Sequence, residues 1–162
     1  MIKHCRVDER LLHGQTVMSW NKSIGANCFL IADDEVASNQ LRMSILRAGC
    51  PAGCKLVMKS VQDSIDSINS GVTDKYDLFI ITKDIPSMER LVLGCDCIKN
   101  VNLGFSFKKP NSIKLGGASG QVYVDEKSKQ CIRNMLKHGK VVDIQRIPND
   151  TKIIVTEDLL NG

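Results

Sequence analysis

The run Arg6-Val7-Asp8-Glu9-Arg10-Leu11-Leu12-His13-Gly14-Gln15 sets an imidazole beside two guanidiniums and a glycine, just after a candidate first strand. Those residue types suit the handling of a phosphoryl group. Neutral imidazole is a nucleophile near neutral pH, and arginine forks match phosphoryl oxygens in geometry and charge. Gly14 lets backbone amides approach an anion closely, and Gln15 offers one more donor. If a helix starts here, its N-terminal field adds to the attraction. On residue types alone, a histidine near arginines is more often a surface or capping residue, so both readings stand at this point.

Positioning such a run takes a strand before it and a helix after it, and the chain repeats that pattern. Short apolar runs alternate with helical periodicities, which argues for an α/β domain with an open, mostly parallel central sheet and helices on both faces. Strands are expected at Lys3 to Val7, Cys28 to Ala32, Lys55 to Met58, Leu78 to Thr82, Ile98 to Leu103 and Val141 to Gln145. Val17, Trp20 and Ile24 recur at helical spacing, with Gly25 as a left-handed cap. A second helix reads from Ser38 to Ala48 with Leu41, Ile45 and Leu46 on one face, and a third starts at Ser60 with Asp63 as its capping partner. Pro86 opens a fourth, which buries Met88, Leu91 and Val92 and ends at Gly94. The glycine-rich stretch from Ile113 to Val124 reads as an antiparallel edge hairpin with a strand at Gln121 to Val124. A helix from Asp125 to Lys137 and a short terminal one from Thr156 to Leu160 complete the pattern.

Open parallel sheets place their binding loops outside the carboxyl ends of the strands. The loops expected to converge on His13 therefore carry Asp33 and Asp34, Lys83 and Asp84, and Gly104 with Phe105. Lys83 would add positive charge near a phosphoryl group, although a lysine at a strand end is more often solvated. The aspartates serve equally well as helix caps.

A chain of 162 residues, 43% of them hydrophobic, has room for one domain with a sizeable core and is short for two. The net charge of +4 is spread among acids with no basic run and few aromatics, which disfavours nucleic-acid binding. A signal-peptide pattern is missing from the N-terminus, and apolar stretches such as Leu78 to Ile81 are strand-length, so a cytoplasmic location is expected. The seven cysteines are expected as thiols. Neither Cys50 with Cys54 nor Cys95 with Cys97 has zinc-knuckle spacing, and neither a metal nor a cofactor is expected.

The Arg6 to Gln15 run, followed by Trp20, resembles the start of the IIB components of the mannose, fructose and sorbose family of the bacterial sugar phosphotransferase system. Glu9 stands where that family usually has aspartate. The resemblance continues through Ile31-Ala32-Asp33-Asp34-Glu35-Val36-Ala37 and the Pro51-Ala52-Gly53 turn, and covers nearly all 162 residues. Val101-Asn102-Leu103-Gly104 is similar to the family's Asn-hydrophobic-Gly-Gly segment, but Phe105 replaces the second glycine.

The resemblance implies a cytoplasmic phosphocarrier, peripherally associated with a membrane complex. His13 would receive a phosphoryl group from a phosphohistidine on a IIA partner and pass it to a sugar translocated by the membrane components IIC and IID. Arg10 would steady the phosphoryl group, Gly14 and Gln15 would complete the cradle, and Arg6 is a weaker candidate. Asp8 would act as a base toward the sugar hydroxyl or pair with an arginine. Pairing is favoured, because a carboxylate between two guanidiniums is held ionised and weakly basic. Two other functions remain open: a regulatory module that binds a phosphorylated partner without accepting its phosphoryl group, and a phosphatase that discharges the histidine to water. Trp20 reads as a core or interface anchor, His4 and His138 as structural, and Gly116-Gly117 with Gly120 as a turn.

Overall fold

The computed structural model describes residues 1–117 and 120–161. Among the described residues nine strands and seven helices follow one another as β1 (Ile2–Asp8), α1 (Gly14–Ile24), β2 (Cys28–Ala32), α2 (Asp34–Ala37), α3 (Gln40–Ala48), β3 (Lys55–Lys59), α4 (Val61–Asn69), β4 (Leu78–Thr82), α5 (Ile85–Gly94), β5 (Asn100–Phe105), β6 (Ile113–Leu115), β7 (Val122–Val124), α6 (Glu126–Lys137), β8 (Val141–Ile144), β9 (Ile153–Ile154) and α7 (Glu157–Asn161). The helix starts are set by side-chain oxygens. Asp33, Asn39, Ser60, Asp84 and Asp125 each accept from a backbone N–H of the first turn they precede. Gly25 closes α1 in the left-handed conformation, at φ 68°.

Seven strands form one sheet in the order β3-β2-β4-β1-β5-β8-β9. All neighbours pair in parallel except β8 with β9. Because side chains alternate across a strand, the sheet has two cores. Cys5, Val7, Leu30, Ile80, Val101, Leu103 and Val142 face α4, α5, α6 and α7, while Phe29, Ile31, Phe79 and Ile81 face α1, α2 and α3. β1 lies in the middle of the sheet, so the loop after it opens at the centre of the carboxyl edge.

The hairpin exists, but as a separate two-stranded antiparallel sheet of β6 and β7 rather than as an extension of the main edge. Ser106 fastens it to the end of β5 by donating its N–H to the Gln121 carbonyl and exchanging hydrogen bonds through its hydroxyl with the Tyr123 backbone. The antiparallel edge itself is the two-residue β9. The helix expected from Ser38 to Ala48 is α3, which starts at Gln40 with Asn39 as its cap, and the short α2 stands before it. Of its three expected core residues only Leu46 is buried, whereas Leu41 and Ile45 are 73% and 57% exposed. The helix turns Leu46 and part of Met43 to the sheet, and a stripe one residue round from Leu46 is left facing solvent.

Candidate functional site

β1 presents His4, Arg6 and Asp8 on the α1 side, and the neighbouring strands place Asn102 and Asp143, with Gln145 just beyond, on that side as well. Arg6 is 1% exposed. Its NH1 donates to Asn102 Oδ1 at 2.7 Å and to the Gln145 carbonyl at 3.1 Å, and its NH2 donates to Asp8 Oδ2 at 3.2 Å. Asn102 in turn donates through Nδ2 to Asp143 Oδ1 at 2.8 Å and to the Gln145 carbonyl at 3.0 Å. Gly104 explains how a guanidinium fits here, since a Cβ at that position would lie 2.0 Å from Arg6 Cζ. Burial pulls the Arg6 guanidinium down to about 10, with Asp8 working in the opposite direction, so it stays cationic at neutral pH.

Asp8 passes this order forward. Its Oδ1 accepts from the Arg10 backbone N–H at 2.9 Å and from Arg10 Nε at 3.0 Å, and its Oδ2 accepts from Arg10 NH2 at 3.0 Å. The fork is bidentate, the geometry that fixes a guanidinium most firmly. Two guanidiniums share the Asp8 carboxylate, with Asp143 joined to the network through Asn102, and Arg10 is its partly exposed cation. The loop that follows is held by Leu11, which is buried, adopts φ 60° and donates its N–H to the Asp8 carbonyl at 2.9 Å. For a branched side chain that conformation is strained, so packing must hold it in place.

His13 caps α1 with extended backbone, and its carbonyl accepts from Thr16 and Val17 at 3.0 and 3.1 Å. The side chain makes no capping bond, and the residue is exposed. Gln15, Thr16 and Ser19 of the first turns line a cleft of about 330 Å³ together with Arg10, Gln121, Arg146 and Ile147. The cleft thus joins two guanidiniums, hydroxyls and amides with a helix N-terminus, a lining suited to an anion or a polyhydroxylated molecule. Open space surrounds the Gly14 Cα, and at φ 20° the position favours glycine.

The expected site residues therefore divide. Arg10 and Gln15 both line the cleft, whereas His13 and Gly14, which lead into the same helix, are exposed and outside its lining. Arg6 stands behind Asp8 in the interior, so its expected direct contact with a phosphoryl group gives way to a bracing one. Asp8 is a paired carboxylate, as favoured from the sequence. Asp33 is buried and caps α2 through Val36 N, and Lys83 reaches Glu35 at 3.3 Å. Beside them Asp34 pairs with Arg90 at 3.0 Å, so the loops after β2 and β4 are occupied with their own ion pairs and caps. Trp20 is buried, stacks on His4 at 4.2 Å and donates Nε1–H to the Arg146 carbonyl at 2.9 Å, which ties α1 to the loop after β8. Sequence reasoning missed Arg146, Gln121 and Gln145. The signal for Arg146 was its place just past the carboxyl end of a parallel strand; Asn102, a lone amide in an apolar strand, was quoted only for its resemblance.

An open, doubly wound sheet, with His13 heading the helix after the central strand and a cleft lined by Arg10 and Arg146, defines an α/β domain. Comparison with known proteins gives the family. Residues 2–161 match the family described as the sorbose subfamily IIB component of the phosphotransferase system, and the chain belongs to it. A probable phosphotransferase enzyme IIB component of Streptococcus pyogenes serotype M6 is 36% identical over 107 residues, 64% of this chain and 66% of that one. The mannose-specific EIIAB component of Escherichia coli K12 is 26% identical over 91% of this chain, which spans 45% of that protein, less than half of its length. The crystal structure of the N-acetylgalactosamine-specific IIB component 1 of Escherichia coli superimposes with a TM-score of 0.87 at 26% identity, covering 96% of this chain and all of the other (100%). Among the described residues no helix is long and apolar enough to cross a membrane.

Proposed function

We propose that this chain is a phosphocarrier. His13 takes a phosphoryl group from the phosphohistidine of a IIA protein or domain and delivers it to a sugar handled by the membrane components IIC and IID. In the first transfer an imidazole nitrogen lone pair of His13 attacks phosphorus, the P–N bond to the donor histidine breaks, and the donor imidazole leaves. In the second, a sugar hydroxyl oxygen attacks phosphorus, the P–N bond to His13 breaks, and the hydroxyl proton ends on the released imidazole, which returns to its neutral starting state. A P–N bond is already reactive, so the protein's part is placement and charge stabilisation.

The observation that carries the reading is the Arg6, Asp8, Arg10 relay, which fixes Arg10 in the wall of a cleft it shares with Gln15 and Thr16, the first residues of the helix that exposed His13 precedes. Asp8 is occupied by four N–H donors and orients arginine rather than removing a proton. Arg10 and the first turn of α1 supply the donors that a trigonal, negatively charged phosphoryl group needs in flight. The fused IIA and IIB arrangement named for the mannose-specific relative supports a IIA donor. Incubation with a phosphorylated IIA protein tests this. The expected result is stoichiometric, acid-labile and base-stable phosphate on the wild type and none on His13→Ala. A variant that still accepts phosphate refutes the site, and a wild type that binds phosphorylated IIA without accepting phosphate supports a regulatory module instead.

A further inference from the structure

Arg10 is gripped on a second side that the relay does not use. Its Cζ lies 3.9 Å from the centre of the Phe105 ring, over the face. Strand register makes this contact, because Asp8 and Phe105 are paired residues at the ends of β1 and β5. Carboxylate and ring therefore reach Arg10 from adjacent strands. The ring is itself braced by Phe107, edge-on at 4.9 Å. The strap that carries both rings is fastened to Glu9: its backbone N–H donates to the Phe105 carbonyl at 3.1 Å, and its Oε1 accepts from Phe107 N at 3.3 Å and Lys109 Nζ at 2.7 Å.

We propose that Phe105 is a positioning residue for Arg10: with Asp8 it locks the plane of the guanidinium so that the N–H groups Asp8 leaves over are aimed into the cleft before any phosphoryl group arrives. A guanidinium has five N–H donors. Asp8 takes two of the side-chain donors, at Nε and NH2, and the rest serve the cleft. The ring removes water from one face of the cation, which strengthens its pull on an anion at the remaining edge, and a plane fixed in advance loses less freedom on binding. The substrate class this serves is a phosphoryl group on nitrogen at His13, so the inference rests on the phosphocarrier reading. It also gives Glu9 a purpose, as the anchor of the strap.

The test uses phosphoramidate, which donates its phosphoryl group to histidine with loss of ammonia, and inorganic phosphate as a binding probe. Wild type, Phe105→Leu and Phe105→Tyr are compared by phosphohistidine formation and by the Arg10 Nε–Hε NMR signal, which a ring current from Phe105 shifts. Phe105→Leu keeps an apolar side chain without a π face. It is expected to weaken phosphate binding and slow phosphorylation about 3- to 20-fold, as loss of a partly desolvated cation–π contact implies. The Arg10 signal should lose its ring shift, and Phe105→Tyr should restore both. If Phe105→Leu matches the wild type in rate and affinity while the Arg10 signal moves, the positioning role is wrong and the carrier reading stands. A wild type that takes no phosphoryl group on His13 overturns both.

Discussion

On one side of β1, β5 and β8 lie Cys5, Val7, Val101, Leu103, Val142 and Ile144; on the other lie His4, Arg6, Asp8, Asn102, Gly104 and Asp143, with Gln145 at the end. The strands are the same and the residues alternate. The first side packs dry against α5 and α6 and holds the sheet together by burial alone. The second buries a cation, two carboxylates and amides, and among the described residues every buried side-chain nitrogen or oxygen has a hydrogen-bond partner. A polar network that is fully satisfied adds little net stability but defines one arrangement. The alternation of a single set of strands thus separates the two tasks, cohesion on one face and aim on the other.

The sharpest way to break that division is to remove one residue from each side. Asp8→Ala leaves Arg6 buried without its carboxylate, and is expected to cost about 3–5 kcal/mol in urea unfolding. It also frees Arg10, so His13 phosphorylation of the folded protein should fall by more than tenfold. Leu103→Ala, one residue from Asn102 and fully buried, should cost about 2–4 kcal/mol through cavity formation. Its folded fraction should phosphorylate at the wild-type rate. Equal losses of transfer in the two variants would mean that the faces are not separate.

How far the sequence reaches follows the same division. Features written in adjacent residues were readable: the helix start at Ser60 with Asp63, the left-handed Gly25, the strand-to-helix junction at His13. The apolar face was readable too, since period-two hydrophobicity reports it. The polar face was not, because Arg6 meets Asn102 and Gln145 only after strand order sets β5 and β8 beside β1. The two residues of β9 are too few to carry a period. Asp33 and Lys83 sit at carboxyl strand ends as expected, yet Glu35 and Val36 claim them locally.

A smaller effect sharpens the comparison through pH. His4 stacks on Trp20 at 4.2 Å and lies 3.3 Å from Asn102 Oδ1. Burial, and then the nearby Arg6, lower its pKa from 6.5 to about 4. Below pH 6.5 the unfolded chain binds a proton that the folded chain refuses until about 4, so stability present above that window is lost as pH falls through it. The loss should be about 3 kcal/mol. His4→Phe keeps a stacked ring and should flatten stability between these pH values in urea titrations. A slope unchanged in that variant would assign the acid sensitivity to other groups.

The phosphocarrier proposal requires that His13 be charged and then discharged to a sugar. The direct measurement is a chase: protein carrying labelled phosphate on His13 is mixed with membranes containing its IIC and IID components, with and without candidate sugars. The expected result is label leaving His13 only when a sugar is present and appearing as sugar phosphate. Label that stays on the protein in every mixture, or that appears as inorganic phosphate at the same rate without sugar, would contradict it.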